Sequence, residues 1–434
     1  MPSTKWRAVA QRSAHLLRVT LPAFGGRGVQ FLALAAMAAV VSPADYGRFS
    51  TLQVLVLGLA SITGSSMGAS SNAAAARATR DGALGVWAIL ATLLRARRRA
   101  LLVNLVVSSV AVPVGYFLVV GVTPERLPML VAIGIMSAAL PVGETVVAVL
   151  AGSGRYRAAS WTDAVRAVAG AALALVLGVV SGPWWATVGL LATDVLIAVA
   201  AIVLATNHRR ATTTLTGLAV PAPAAPDRSA DGLHAGLVAN VLGQVANWVV
   251  LWAIGATGGA LGLGAYGVAL RFASVVTLAP VYFGKTVIGQ LAAPGLSANQ
   301  WTPRSFVGML AGLSVVGSLL AAGVMALGFP SLPDRYDGLW WMLAAVLTAT
   351  SLRAVLIGLG QVCVAQRRWR TWVVADAASL VVTVIGVLVV FVGPTGMHGA
   401  VLVVLASAVA NVAGIATRFV GLRRPTSRVP EAVR

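Results

Sequence analysis

Acid is scarce in this chain. Of its 434 residues only 12 are Asp or Glu, against 32 Lys or Arg, so the formal net charge is +20. Charge of either sign is scarce as well, at 10% of residues, where a soluble domain carries about 25%. A single cysteine, Cys363, excludes an internal disulfide framework and a cysteine-rich metal site. The four histidines, His15, His208, His234 and His398, fall at span ends or in connections without metal-ligand spacing. There is no nucleotide-binding loop and no nucleophile elbow. Catalysis therefore finds no support, no cofactor or metal is implied, and any energy must come from an ion gradient, the membrane potential or removal of product.

Apolar residues fill the space left by charge, at 58% of the chain. They gather in runs of about 20, the length that spans a hydrocarbon core roughly 30 Å thick. Twelve such runs lie near 19–41, 50–73, 101–121, 128–150, 158–180, 184–206, 235–256, 265–291, 304–327, 338–361, 371–392 and 396–417. The amino-terminal 1–18 reads as a basic amphipathic segment at the inner surface, and Arg27 interrupts the apolar stretch after it. Basic residues collect in alternate connections: Lys5, Arg7, Arg12 and Arg18; Arg77, Arg80 and Arg95 with Arg97, Arg98 and Arg99; Arg155 and Arg157; Arg209 and Arg210; Arg304; Arg367, Arg368 and Arg370; and Arg418, Arg423, Arg424 and Arg428. The other connections are neutral or acidic, as with Asp45 against Arg48, or Asp334 and Asp337 against Arg335. This bias places both termini in the cytoplasm of a multi-pass inner-membrane protein and explains the positive charge without a nucleic-acid partner.

The chain is also built twice. Arg-aromatic-Arg, five residues and Asp occur at 155–163, "RYRAASWTD", and again at 368–376, "RWRTWVVAD", a shift of 213 positions. Both copies precede a span at a basic turn, the fifth and the eleventh. Tyr-Gly recurs in "DYGRFSTLQVL" from residue 45 and "AYGVALRFASV" from residue 265. The expected organisation is a first lobe over 19–206, a Pro-rich cytoplasmic linker over 207–234, a second lobe over 235–417 and a basic tail over 418–434. Six spans per lobe give both halves one orientation, related by an axis along the membrane normal. The fold expected is thus an all-α integral membrane protein with about twelve transmembrane helices in two six-helix lobes around a central cavity. Arginines at these turns can snorkel to headgroups while Tyr156 or Trp369 sits at the interface, and Asp163 and Asp376 can accept a bond from a neighbouring helix. Anchoring and gating roles both remain open for the motif.

Three stretches carry a resemblance to a known group: "SPADYGRFSTLQVLVLGLASI" closing the first helical pair, "GALGLGAYGVALRF" at the corresponding place in the second half, and "GSGRYRAASWTDAVR" before the fifth span. Together they resemble polysaccharide flippases of the Wzx type, in the multidrug/oligosaccharidyl-lipid/polysaccharide exporter superfamily, over about residues 19–417. The resemblance implies two lobes around a cavity opening alternately to each side. The cargo it implies is a glycan on a polyprenyl pyrophosphate, with membrane lipid, and a glycan polymerase or glycosyltransferases, as partners. A drug or organic-cation antiporter of the same superfamily is the second reading, and a non-transporting scaffold the third.

Ionisable groups inside spans are costly and therefore functional candidates. The cations are Arg27, Arg166, Arg271, Lys285 and Arg353, and the acids Glu144, Asp163, Asp194 and Asp376. Asp163 and Arg166 stand three apart and can pair, which sets Arg166 aside. Arg27, Arg271, Lys285 and Arg353 lack a nearby acid in sequence and suit a pyrophosphate. They are expected to face the cavity in sequence along the path, Arg271 nearer the outer side and Lys285 nearer the inner. The competing reading neutralises them with acids on adjoining helices, Glu144 or Asp194. The four acids are candidates for coupling or gating. In "GLVANVLGQVANWVVLWAIG" the spacing puts Asn240, Gln244 and Asn247 on one helix face, to bind sugar hydroxyls or to join helices. Gly64 with Gly68, and Gly308 with Gly312, read as close-packing pairs. "GLGAYG" from Gly262 matches a dinucleotide fingerprint formally, but has no strand before it.

Overall fold

The computed structural model describes residues 4–80, 85–121, 124–215, 233–292 and 302–423, with only the backbone given for 4–17, 208–215 and a few further positions, most of them in 279–292. Every regular element among them is helical: α1 (Thr4–Val40), α2 (Pro43–Arg80), α3 (Val86–Ala96), α4 (Arg98–Val120), α5 (Leu127–Ser137), α6 (Leu140–Gly152), α7 (Tyr156–Ser181), α8 (Pro183–Leu215), α9 (Leu233–Ala292), α10 (Pro303–Gly328), α11 (Leu332–Arg335), α12 (Leu339–Ala365), α13 (Trp369–Phe391) and α14 (Gly396–Arg423). Eleven helical stretches are long and apolar enough to cross a membrane. One of them, His234–Leu278, has 45 residues. At 1.5 Å per residue it is more than twice as long as the hydrocarbon core is thick. It breaks at Gly259, where φ is +59°, a left-handed conformation that glycine adopts without a Cβ penalty. The two arms, 233–258 and 260–292, then face each other: a Cβ on Gly262 would lie 3.6 Å from the Ile254 carbonyl oxygen, and one on Gly255 would lie 3.5 Å from Leu263. Counting the arms separately gives the twelve crossings expected.

Several boundaries differ from expectation. α1 runs as one helix from Thr4, so 4–18 is helically continuous with the first span, whose apolar stretch begins at Arg18. α3 precedes the third span and buries Ile89, Leu90, Leu93 and Leu94 on one face. The fourth span is two helices, α5 and α6, joined at Ala138 and Ala139 ahead of Pro141. The six residues of "GLGAYG" lie inside the second arm of α9. Most of the linker, 216–232 with Pro221, and the end of the tail, 424–434, lie outside the described residues.

Helices α1 to α8 pack chiefly among themselves and α9 to α14 likewise, with α2 and α1 against α9 forming most of the join. The exterior is apolar, with Val103, Val106, Val110, Val316, Leu319, Leu388 and Val389 all exposed, as a lipid-facing surface requires. Lipid tails are as apolar as leucine, so helix contact depends on close backbone approach through small residues. Gly134 against Ser108 and Ser109, Gly152 against Asn72 and Ala75, and Gly189 against Leu173 and Ala174 leave no room for a Cβ. Gly64 and Gly68 make looser contact with Glu144 on α6, at 3.5–4.0 Å. Gly308 and Gly312 face open space. The close-packing expectation for that second pair is corrected: α10 lies at the rim of the bundle and presents this face to lipid.

The duplicated turn repeats bond for bond. Backbone amides of Ser153, Gly154 and Arg155 donate to the carbonyls of Val149, Ala151 and Leu150, and those of Gln366, Arg367 and Arg368 to the carbonyls of Val362, Val364 and Cys363. Each position of the second set is 213 beyond its counterpart. Gly154 (φ +76°) and Arg367 (φ +56°) occupy the same left-handed position, and Arg367 is the only non-glycine residue with positive φ among the described residues. Asp163 and Asp376 are each the eighth residue of their helix, and both are buried.

At the end opposite the arginine-rich turns, the lobes close on one another. Phe31 on α1 meets Phe272 on α9 edge-on, with ring centroids 5.1 Å apart, and Phe272 meets Phe329 at 5.7 Å. The last carbonyls of α1 have no intrahelical partner, and the other lobe supplies one. Arg335 donates to the carbonyls of Ala39 and Val41, the latter at 3.1 Å, and the buried Tyr336 hydroxyl donates to Ala38 at 3.3 Å. Burial raises the Tyr336 pKa, keeping it a donor. A guanidinium at a helix C-terminus also meets the negative end of the dipole. Arg335→Ala should therefore destabilise the protein by about 2 kcal/mol, the usual worth of a hydrogen bond to a charged group. A thermal midpoint in detergent unchanged from wild type would show that the cap carries no energy.

Candidate functional site

Cavities with both polar and apolar walls lie around the join between the lobes, and three of them matter to the site. The first, of about 320 Å³, lies in the half toward the arginine-rich turns, between α2, α6, α9, α12, α13 and α14. A second, of about 270 Å³, lies toward the aromatic closure, bordered by Arg27, Gln30, Gln53, Arg166, Asp194 and Arg271. A third, of about 200 Å³, lies mainly in the second lobe, between both arms of α9 and α12, α13 and α14, with Val54 of α2 on its border. Arg353 borders the first and third, and Val281 the first and second.

In the first lobe the charges form one network centred on Arg166. Its Nη2 meets Glu144 Oε1 at 2.9 Å, its Nε meets Asp194 Oδ1 at 2.7 Å, and its Nη1 lies 3.9 Å from Asp163 Oδ1. The expected local pair with Asp163 is thus the longest of the three contacts. A carboxylate three residues away on one helix reaches the guanidinium less well than acids on the facing helices α6 and α8. Asp163 instead accepts from Arg27 Nη2 at 3.0 Å, while Arg27 Nη1 donates to Gln30 Oε1 at 2.8 Å. Arg27 does border the second cavity, but as half of an ion pair with Asp163 on the facing helix α7. Removing it would leave a carboxylate that is 1% exposed without that partner.

The second lobe is arranged differently. Asp376 accepts both oxygens' worth of bonds from Arg418 Nη2, at 2.9 and 2.8 Å, and Arg418 also donates to the Leu356 carbonyl. Arg418, expected in the basic tail, belongs to α14 and is buried, which corrects that tail boundary. Arg97, expected in a loop, is likewise buried, and donates to the Met67 carbonyl at 2.9 Å and to Ser71. Sequence reasoning missed both as functional positions, although a signal exists for each. Asn411, Gly414 and Arg418 are spaced three and four apart, as are Leu90, Leu93 and Arg97, so each arginine extends a buried helical face.

Arg271 borders the second cavity with its guanidinium 5.8 Å from the Phe49 ring centroid, and its buried Nε has no hydrogen-bond partner. Arg353 forms neither an ion pair nor a hydrogen bond among the described residues, and its Nη2 lies 3.1 Å from where a Cβ on Gly243 would stand. The side chain of Lys285 lies outside those described. The amide stripe occupies one face as its spacing requires. Asn240 Nδ2 donates to Ser66 Oγ at 2.8 Å, Gln244 Nε2 to Ser61 Oγ at 2.5 Å and Asn247 Nδ2 to Gln244 Oε1 at 3.1 Å. Two of these bonds tie α9 to α2 across the lobes, so the amides join helices while Asn240 and Gln244 also border the first cavity.

Helices of this order and packing have known counterparts. A variant of the Vibrio cholerae MATE transporter VcmN aligns over 96% of this chain and 97% of its own, with TM-score 0.65 and 12% identity. The chain shares their fold. The lipid II flippase MurJ in an inward closed conformation aligns over 94% of this chain and 88% of its own, at TM-score 0.60 and 12% identity. A MOP superfamily transporter from Pyrococcus furiosus, described as having a binding pocket of reverse polarity, covers 94% of each chain at TM-score 0.58 and 14% identity. No family model matches the sequence, and no curated protein does. The architecture is therefore that of multi-pass membrane transporters with two lobes, and the chemistry of the cavity must be argued from its own residues.

Proposed function

We infer that the chain translocates an anionic lipid-linked saccharide, a glycan on a polyprenyl pyrophosphate, by alternating access of the cavity between its lobes. The observation that carries this reading is Arg353. Of the charges bordering the first cavity, Glu144 is held by Arg166 and Asp376 by Arg418, which leaves the Arg353 guanidinium facing the space with no ion pair among the described residues, only the more distant charge of Asp376. A buried guanidinium needs compensation, and phosphate oxygens match its fork. Amides, serines and glycines on the same wall, Asn240, Gln244, Ser61 and Gly64 among them, suit sugar hydroxyls in a roomy site. Arg271 offers a further contact in the second cavity, and Glu144, Asp163, Asp194 and Asp376 are positioned to rearrange as the lobes move. An organic-cation antiporter of the same fold would need a cavity carboxylate free of arginine. In proteoliposomes, a fluorescent polyprenyl-pyrophosphate oligosaccharide should change leaflet while a lipophilic cation dye is not transported. The reverse result would assign the chain to the antiporters.

The arginine-rich turns and both termini belong on the cytoplasmic side in this reading. A cysteine introduced at Ala225, in the linker, should resist a membrane-impermeant maleimide in intact cells and react after permeabilisation. Labelling in intact cells would invert the orientation.

A further inference from the structure

The third cavity has a chemistry of its own. Its wall holds nine polar side chains, of which Arg353 alone carries a charge. Most of the donors in it are already committed. Thr277 donates to the Ser274 carbonyl, Ser379 to Ala410, Thr383 to Ser379 and Ser407 to Val404, at 2.7–3.1 Å. Asn411 Nδ2 donates to the Ala349 carbonyl at 3.0 Å, and Asn247 Nδ2 to Gln244. What remains, besides the second N–H of each of these two amides, is a cluster of three donors. Arg353 and Thr350 stand three apart on α12, so their side chains share a face. Tyr266, on the second arm of α9, borders the same space, and its hydroxyl lies within the field of the Arg353 charge. Neither the Tyr266 nor the Thr350 hydroxyl forms a hydrogen bond among the described residues. The opposite wall, on α13 and α14, presents the hydroxyl oxygens of Ser379, Thr383 and Ser407, whose protons point to backbone carbonyls, beside the Asn411 amide. The pocket thus gathers donors around one positive charge, with hydroxyl acceptors facing them.

We propose that Arg353, Tyr266 and Thr350 form a binding site for a monovalent inorganic anion of the halide class. One unpaired guanidinium calls for one negative charge. The three donors replace half of the ion's hydration shell, and the acceptors opposite hold the water molecules that make up the rest. A cavity of about 200 Å³ accommodates a halide with several waters. No acid lines it, and Asp376, which borders the first cavity, is bound in both its oxygens by Arg418.

The position of Arg353 gives the site a consequence that rests on the cargo reading above. The same guanidinium borders the first cavity, so the halide neutralises it when cargo is absent and a cargo phosphate competes for it. Binding of the halide itself does not depend on what the cargo is.

The test uses the full-length protein in detergent and no cargo. Its thermal midpoint is followed as chloride replaces gluconate at constant ionic strength, with bromide and inorganic phosphate as comparators. Chloride and bromide should raise the midpoint in a saturable way. The double variant Tyr266→Phe/Thr350→Val should weaken the apparent affinity at least ten-fold, Arg353→Gln should abolish the response, and Arg353→Lys should keep part of it. If the double variant is too unstable to purify, Thr350→Val alone should still show weakened affinity. A midpoint independent of chloride, or an unaltered chloride response in the Tyr266 and Thr350 variants, overturns the site. Stabilisation by phosphate with none by chloride overturns the halide assignment. Because the assay contains no lipid-linked saccharide, a negative result here leaves the flippase reading standing, and a failure of that reading leaves this one standing.

Discussion

Arg166→Met is expected to leave little folded protein. Three carboxylates converge on this side chain, from α6, α7 and α8, and it is 8% exposed. Breaking one buried pair by removing a partner costs about 3–5 kcal/mol, against a total stability of about 5–15 kcal/mol for a native protein. Here a single substitution strips Glu144 and Asp194 of the guanidinium they share, and leaves the buried Asp194 carboxylate facing the half-buried Glu144. The variant should be recovered at a small fraction of the wild-type yield, as aggregate rather than as a monodisperse species on size exclusion. Adding Glu144→Gln and Asp194→Asn removes the uncompensated charges and should restore most of the yield. Normal yield and thermal midpoint in the single variant would mean that water reaches the network and that the pairs contribute little.

Arg353→Glu should behave in the opposite way, folding normally and failing to transport. The side chain forms no ion pair among the described residues, so its removal orphans no partner. In the cavity, however, it sets the sign of the field that cargo meets. Placing a carboxylate there turns a charge attraction into a repulsion. Truncating one partner of a desolvated charge pair costs about 2–5 kcal/mol, and each 1.4 kcal/mol is a factor of ten. Translocation of a polyprenyl-pyrophosphate oligosaccharide should fall at least about 100-fold on this scale. Arg353→Lys should retain part of the rate, since an ammonium keeps the charge but not the two-pronged geometry. Wild-type transport by the glutamate variant would remove Arg353 from the cargo path. Together the two substitutions separate a guanidinium that holds the fold from one that serves the cavity.

The spans were legible because a bilayer imposes length and apolarity on each of them, and a run of 20 apolar residues has few alternative fates. The break at Gly259 was legible only as a gap between two runs, and α3 was hidden because an 11-residue amphipathic helix is too short to read as a span. The internal repeat was visible in "RYRAASWTD" and "RWRTWVVAD" because turn chemistry and a buried acid recur together. Pairing was far less legible. Arg27 finds Asp163 across 136 positions, and Arg418 finds Asp376 across 42. Sequence spacing encodes which residues share a helix face, but not which helix lies opposite. That is why the local Asp163–Arg166 pair was favoured over the longer-range contacts of both residues. It is also why Arg97 and Arg418, read as loop charges from their neighbours in sequence, proved to be buried. The amides of α9 were placed on the right face, yet their hydroxyl partners on α2 could not be named from periodicity alone.

The duplicated turn has a consequence for the cavity between the lobes. Backbone geometry is reproduced from one copy to the other, while the charges mounted on it are not. Around Asp163 stand Glu144 and Asp194 with Arg166 and Arg27, three carboxylates to two guanidiniums, whereas Asp376 is accompanied by Arg418 and Arg353, two guanidiniums to one carboxylate. Two halves alike in shape and opposite in sign set up a dipole across the space they enclose, parallel to the plane of the membrane. A ligand with an anionic head and a neutral body would enter such a space already oriented, head toward the second lobe and body toward the first, before any helix moves.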